Sequence, residues 1–267
     1  MLRTALSAAA LLLAAPALAA LSPAERRMVA DVEARTGSDV ALLERLVNQN
    51  SGTRNIEGVM KVAAMVRPEL EALGFEVRWI PQAEVGRAGH LFAEHKGRPG
   101  KKRLLLIGHL DTVFEPDSPF QRFTREGDAA RGPGVNDNKG GVVVMLSALK
   151  AMKAAGTLKD ANIVVALTGD EEEAGNPRTL SRRDLIAEGR RADVALDFES
   201  LVRSGGTDMG SIARRSANTW ELRTGGQTGH SSAIFSERLG DGAVFEMSRI
   251  LSRFRTELPE PSLTFNV

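Results

Sequence analysis

The chain has 267 residues, 42% hydrophobic and 26% charged, an ordinary globular composition with room for more than one domain. Its formal net charge is +1, from 35 basic and 34 acidic residues, so no strong field attracts nucleic acid or an anionic membrane. It has no cysteine, which excludes disulfides, thiolate nucleophiles and thiolate metal sites; any metal must be held by Asp, Glu or one of the histidines His90, His95, His109 and His230.

Residues 1–19 read as a signal peptide. Arg3 gives the positive start, Leu6 to Ala15 is an apolar core too short to span a bilayer, and Ala17-Leu18-Ala19 fits a small-x-small cleavage site. The alternative is an apolar helix that stays; the charged helix starting after Pro23 argues for removal. The expected mature protein begins near Ala20, is periplasmic or secreted, and has no stable membrane association.

Ser22 to Ala34 predicts a helix with Ser22 as N-cap, and Ser38 to Val47 a second one. A polar loop over Asn48 to Asn55 leads into a helix from Ile56 to Leu73, kinked at Pro68 and stopped by Gly74. Phe75 to Ile80 alternates as a strand, Gly89 to His95 is a second strand, and Arg98 to Lys102 is a turn.

Leu104 to Val113 is an apolar run that ends in His109-Leu-Asp111. Residues two apart on a strand share a side, so the imidazole and the carboxylate meet where the strand runs out. A carboxylate behind an imidazole fixes its tautomer for metal binding. Gly132 to Gly141 lacks the G-x-x-x-x-G-K-[ST] pattern of a phosphate loop and the G-x-G-x-x-G dinucleotide spacing, and it places Asp137 at the head of a helix with Val142, Met145, Leu146, Leu149 and Met152 on its buried face. A plain N-cap would not need the flanking glycines. The strand Asn162 to Thr168 ends in Asp170-Glu-Glu-Glu173, and the strand Ala192 to Glu199 ends in Asp197 and Glu199. Four acidic residues after a buried strand repel one another unless a cation sits among them.

These strand ends would line one edge of a mostly parallel sheet flanked by helices, an α/β fold. One imidazole with several carboxylates suits Zn2+, with Co2+ or Mn2+ able to substitute. There are more carboxylates than one zinc needs, which points to two metals sharing a bridging group.

His109-Leu-Asp111-Thr-Val, Gly134-Val-Asn-Asp137-Asn-Lys-Gly-Gly141, Asp170-Glu-Glu172 and Phe198-Glu199 resemble, in order and spacing, the motifs of the M20 metallopeptidases. That family includes glutamate carboxypeptidase, aminoacylase, acetylornithine deacetylase and a diaminopimelate desuccinylase. The loop Asn50-Ser-Gly-Thr-Arg-Asn55 is similar too. The resemblance implies two zinc ions per subunit. His109 would bind one, oriented by Asp111, and Asp137 would bridge the two. Glu171 would be the general base and Glu172 a ligand of the second zinc. Glu199 would complete the first site; alternation puts Asp197 on the same side, and the family pattern favours Glu199. Glu173 leaves the register of base and ligand open by a residue.

From Gly206 onward a different unit is expected: a strand over Ser211 to Thr224, a helix over Asp241 to Leu258 and a strand from Ser262. It is similar to the family's α+β, ferredoxin-like lid, which also makes homodimers. The expected domains are thus 20–206, catalytic, and 207–267, part of the lid. His230, in Gly226-x-x-x-His230, would stabilise an oxyanion. The resemblance implies an exported amidohydrolase, carboxypeptidase-like, acting on a peptide or N-acyl amino acid. Two departures stand out. The family's late zinc-binding His has no counterpart before Val267, so either the sequence is a fragment of a longer chain or the chain is truncated with an incomplete second site. His90 stands where the family usually has Asn. A non-catalytic zinc- or peptide-binding remnant of the same fold is the alternative. A two-metal phosphatase is a further rival, and it would need a basic group near the metals, for which only Lys139 is in place.

Overall fold

The computed structural model describes residues 20–267, so the expected signal peptide lies outside the described residues. The chain divides into two compact units, 1–200 and 201–267.

In the first unit, helix α1 (Pro23–Asn48) opens with a capping box: Ser22 Oγ accepts from Glu25 N, and the Glu25 side chain accepts from Ser22 N. It is one helix where two were expected. Gly37 has open space around it, and Arg35 bridges the point, pairing with Asp31 and Asp39 one turn to either side and donating to Ser147 O at 3.1 Å. Helix α2 (Ile56–Glu71) is capped by Asn55 and runs through Pro68, which sits in the last turn.

Strands β1 (Glu76–Gln82), β2 (Arg87–His95) and β3 (Arg103–His109) follow, then a small hairpin of β4 (Thr124–Glu126) and β5 (Ala129–Arg131). Helix α3 (Lys139–Ala154), strand β6 (Asn162–Thr168), the short helices α4 (Arg178–Ser181) and α5 (Arg183–Arg191), and strand β7 (Val194–Asp197) complete the unit. The sheet order is β1-β2-β6-β3-β7. As expected it is mostly parallel in strand direction, with one exception: β6, β3 and β7 run parallel, and only β2 is reversed, antiparallel to both β1 and β6. The tight connection between β1 and β2 makes a hairpin, and a hairpin must be antiparallel.

Both faces of the sheet are covered at β6, which is why that strand is apolar from Ile163 to Leu167. Ile163, Val165 and Leu167 pack with residues of α1, α2 and α3 such as Leu46, Val66 and Leu146. Val164 and Ala166 face the other way, against Phe92, Leu105 and Leu185 of α5. In the parallel register His109 pairs with Thr168 and Ile107 with Asp197, so β3 and β6 end at one level and β7 ends two residues short of it.

The second unit holds a hairpin of β8 (Val202–Ser204) and β9 (Thr207–Met209), then helix α6 (Ala243–Glu257). The boundary expected at residue 206 falls between the strands of that hairpin. Residues 211–224 and 262–267 form no strand, because their backbone groups find no ladder partner among the described residues.

Candidate metal centre

His109 is the last residue of β3 and is 1% exposed. Its Nε2 lies 2.8 Å from Asp137 Oδ1 and 3.5 Å from Glu199 Oε1; its Nδ1 lies 3.3 Å from Asp111 Oδ1. One ligand atom each from His109, Asp137 and Glu172 lies within 4.8 Å of the others, a spacing that can hold a cation. The structure thus gathers His109, Asp111, Asp137, Glu172 and Glu199 in one place. Asp197, the competitor for the Glu199 role, is the last residue of β7, and Glu199 lies beyond the strand. His230 lies in the second unit. Its Nδ1 accepts from Ser232 N at 3.3 Å, so in the neutral ring the proton sits on Nε2.

Asp111 is fully buried and ties the centre together. Its carboxylate accepts from Thr53 Oγ1 at 2.7 Å, Glu171 N at 3.0 Å and Glu172 N at 3.2 Å while facing His109. Burial pushes Asp111 up, but the hydrogen bonds from His109 and Thr53 outweigh it and hold the carboxyl below its usual range. Burial pushes His109 down; the Asp111 and Glu199 carboxylates reverse this and carry it to about 11. Glu172 is pushed up to about 7 by burial and then by Asp137. Glu171 is raised by burial and by the charges of Glu199, Asp111 and Asp137, with His109 opposing. Burial and the crowding of carboxylate charges raise Glu171 and Glu172, and a cation among them would relieve that crowding. The donor set therefore fits zinc.

A pH dependence follows. An acid whose folded pKa is raised loses folded-state stability as pH climbs from its unfolded value near 4.5 to about 7. Zinc held by this group would compete with that proton and favour the folded form. The rise in melting temperature on adding zinc should therefore be large at pH 8 and small at pH 5. Calorimetry at the two pH values checks this, and an equal rise at both would contradict it.

Asn138 had no role assigned from the sequence. Asn138, not Asp137, is the N-cap residue of α3, and it makes no side-chain cap. It accepts from His109 N at 3.2 Å and donates to Phe198 O at 2.9 Å, which brings the ends of β3 and β7 to one residue. Gly141 explains part of the glycine density: a Cβ there would meet Phe198 O at 1.8 Å. Gly141→Ala should push Phe198 and Glu199 away, costing about 1–3 kcal/mol of stability and weakening zinc binding. Urea unfolding and zinc titration check both. Lys139 does not serve the metal centre. It is 1% exposed, donates to Gln49 O at 2.8 Å, and is pushed down to about 7 by burial. A phosphatase would need that charge for its substrate.

An α/β sheet with an imidazole and carboxylates converging near its parallel strand ends offers a place where a cation could be held. The sequence model of peptidase family M20/M25/M40 matches residues 105–217. Carboxypeptidase G2 of a Pseudomonas species is 33% identical over 259 residues, covering 94% of this chain and 59% of that protein. Succinyl-diaminopimelate desuccinylase of Paracoccus denitrificans is 30% identical over 198 residues, covering 72% and 50%. The chain belongs to peptidase family M20. It spans about half to six-tenths of the length of these two relatives. Among solved structures, human carnosine dipeptidase 1 aligns with a TM-score of 0.54 at 18% identity, covering 75% of this chain and 43% of that one. Aminopeptidase PepT of Bacillus cereus aligns at 0.51 and 20% identity, covering 62% and 44%. Both share the fold.

Proposed function

We propose that the protein is an exported zinc-dependent amidohydrolase that cleaves a peptide or an N-acyl amino acid in a carboxypeptidase-like way. The observation that carries this is the convergence of His109, Asp137 and Glu172 within 4.8 Å, with Glu171 next in the chain. His109, Asp137, Glu172 and Glu199 would hold zinc, with Asp137 shared between two ions. Bound zinc supplies Lewis-acid polarisation of the scissile carbonyl and the attacking water. Asp111 holds His109 in one orientation through Nδ1 and keeps Nε2 toward the carboxylates. Glu171 takes the proton of the attacking water and passes it to the leaving amine nitrogen. Burial raises its pKa above the ordinary carboxyl value, which favours proton uptake by the group that must accept and then give a proton. The family resemblance assigns His230 a different task, donating to the oxyanion that develops in a neighbouring subunit's site.

The names of the relatives support an amide substrate: one is a carboxypeptidase and one a desuccinylase. Export rests on the leader-like residues 1–19, and a homodimer through the second unit rests on the family resemblance. Among the described residues no helix is long and apolar enough to cross a membrane. The test is a panel of N-acyl amino acids, dipeptides and phosphoesters offered to the zinc-loaded chain. Amide cleavage that a chelator abolishes is expected. Phosphoester cleavage in its place, or amide cleavage indifferent to the chelator, would sink the proposal.

A further inference from the structure

Asp170 to Glu173 are four acidic residues in a row, and something must decide which of them face the cation. The two at the ends are turned away. Asp170 is fully buried; its Oδ2 accepts from Ser181 Oγ at 2.6 Å and from Gly175 N at 2.8 Å. Its Oδ1 pairs with Arg182, whose other terminal nitrogen donates to Asp170 O at 2.9 Å. His90 fixes the residue before: Nδ1 accepts from Gly169 N at 3.2 Å and Nε2 donates to Ser181 O at 2.9 Å. At the far end, Glu173 accepts from Arg54 at 2.8 and 2.9 Å, and Arg87 donates to its carbonyl at 2.7 Å. Between these anchors Glu171 and Glu172 give their backbone N–H groups to Asp111. A slip of one residue would carry Asp170 toward the cation and strip Arg182, whose side chain is 18% exposed, of its partner. A charge left unpaired in such a place is strongly unfavourable, and the best attested use of a buried ion pair is to fix register.

We propose that Arg182 is a positioning residue: by holding Asp170 it sets the register of the acidic run, making Glu172 the cation ligand and Glu171 the free carboxylate. The inference rests on the metal-dependent function proposed above, and Arg182 touches none of the ligands itself. Cobalt(II) titration of the full chain, followed by its visible bands, separates the two. Cobalt uptake by the unaltered chain is expected, and its absence would overturn the metal-dependent function and this inference together. Arg182→Met frees Asp170 to compete for the ion. It should weaken cobalt binding by at least about tenfold and alter the bands. Adding Asp170→Asn removes the competitor and should restore the bands. A merely structural role would lower the melting temperature and leave the bands unchanged. Wild-type bands and affinity in folded Arg182→Met, or bands in the double variant as altered as in the single one, would overturn the inference while leaving the function standing. Should Arg182→Met not fold, Arg182→Lys keeps the charge but loses the second prong to Asp170 O. It should weaken cobalt binding by about threefold, and wild-type affinity there would overturn the inference.

Discussion

Glu171→Gln is expected to lower amide hydrolysis by about 10²–10⁴-fold, the usual contribution of a positioned general base, while zinc stays bound. Gln has nearly the shape of Glu, so the backbone bond from residue 171 to Asp111 Oδ1 survives. The cation-holding group of His109, Asp137 and Glu172 does not include Glu171, so affinity should hardly change. What is lost is a carboxylate that can take a proton. Glu172→Gln should do the reverse and weaken zinc directly. Steady-state turnover beside a zinc titration distinguishes the two. Full turnover in Glu171→Gln would remove it from the mechanism.

Asp111→Ala should have the largest structural effect. The carboxylate is fully buried and receives Thr53 Oγ1 and the N–H groups of Glu171 and Glu172 while facing His109 Nδ1. Removing it leaves those buried donors without an acceptor and unhinges the imidazole and the acidic run together. A loss of about 3–5 kcal/mol in stability is expected, as for breaking a buried charge pair. Zinc affinity should fall about 10–100-fold, the usual cost of losing an outer partner of a ligand. Urea unfolding and calorimetric zinc titration measure the two effects. Undiminished zinc affinity would show that Asp111 does not orient His109.

Much of the centre was legible because it sits where local rules operate. His109 ends a run apolar enough to be a buried strand, and Glu172 follows another, so their convergence is a consequence of parallel register. The site residues that escaped notice depend on contacts between distant parts of the chain. Thr53 reaches Asp111 from the loop between α1 and α2, and Asn138 spans from His109 N to Phe198 O; no periodicity marks either. His90 had no reading in the sequence. In the structure the antiparallel pairing of β2 with β6 sets Leu91 opposite Leu167, which brings His90 beside Gly169. The ambiguity over Glu173 was real at the level of sequence, since four like residues carry no register. The structure pairs Glu173 with Arg54 and Arg87, and Asp170 with Arg182, which come from three separate segments. The break expected in α1 failed because the Arg35 pairs and the packing of Leu42 and Leu46 outweigh a single exposed glycine.

Zinc K-edge absorption of the zinc-loaded chain, recorded beside His109→Ala, addresses the centre itself. One imidazole nitrogen with carboxylate oxygens at about 2.0–2.2 Å is predicted, with the imidazole signal lost in the variant. A chain that takes up no zinc, or a spectrum that His109→Ala leaves unchanged, would contradict the proposed centre.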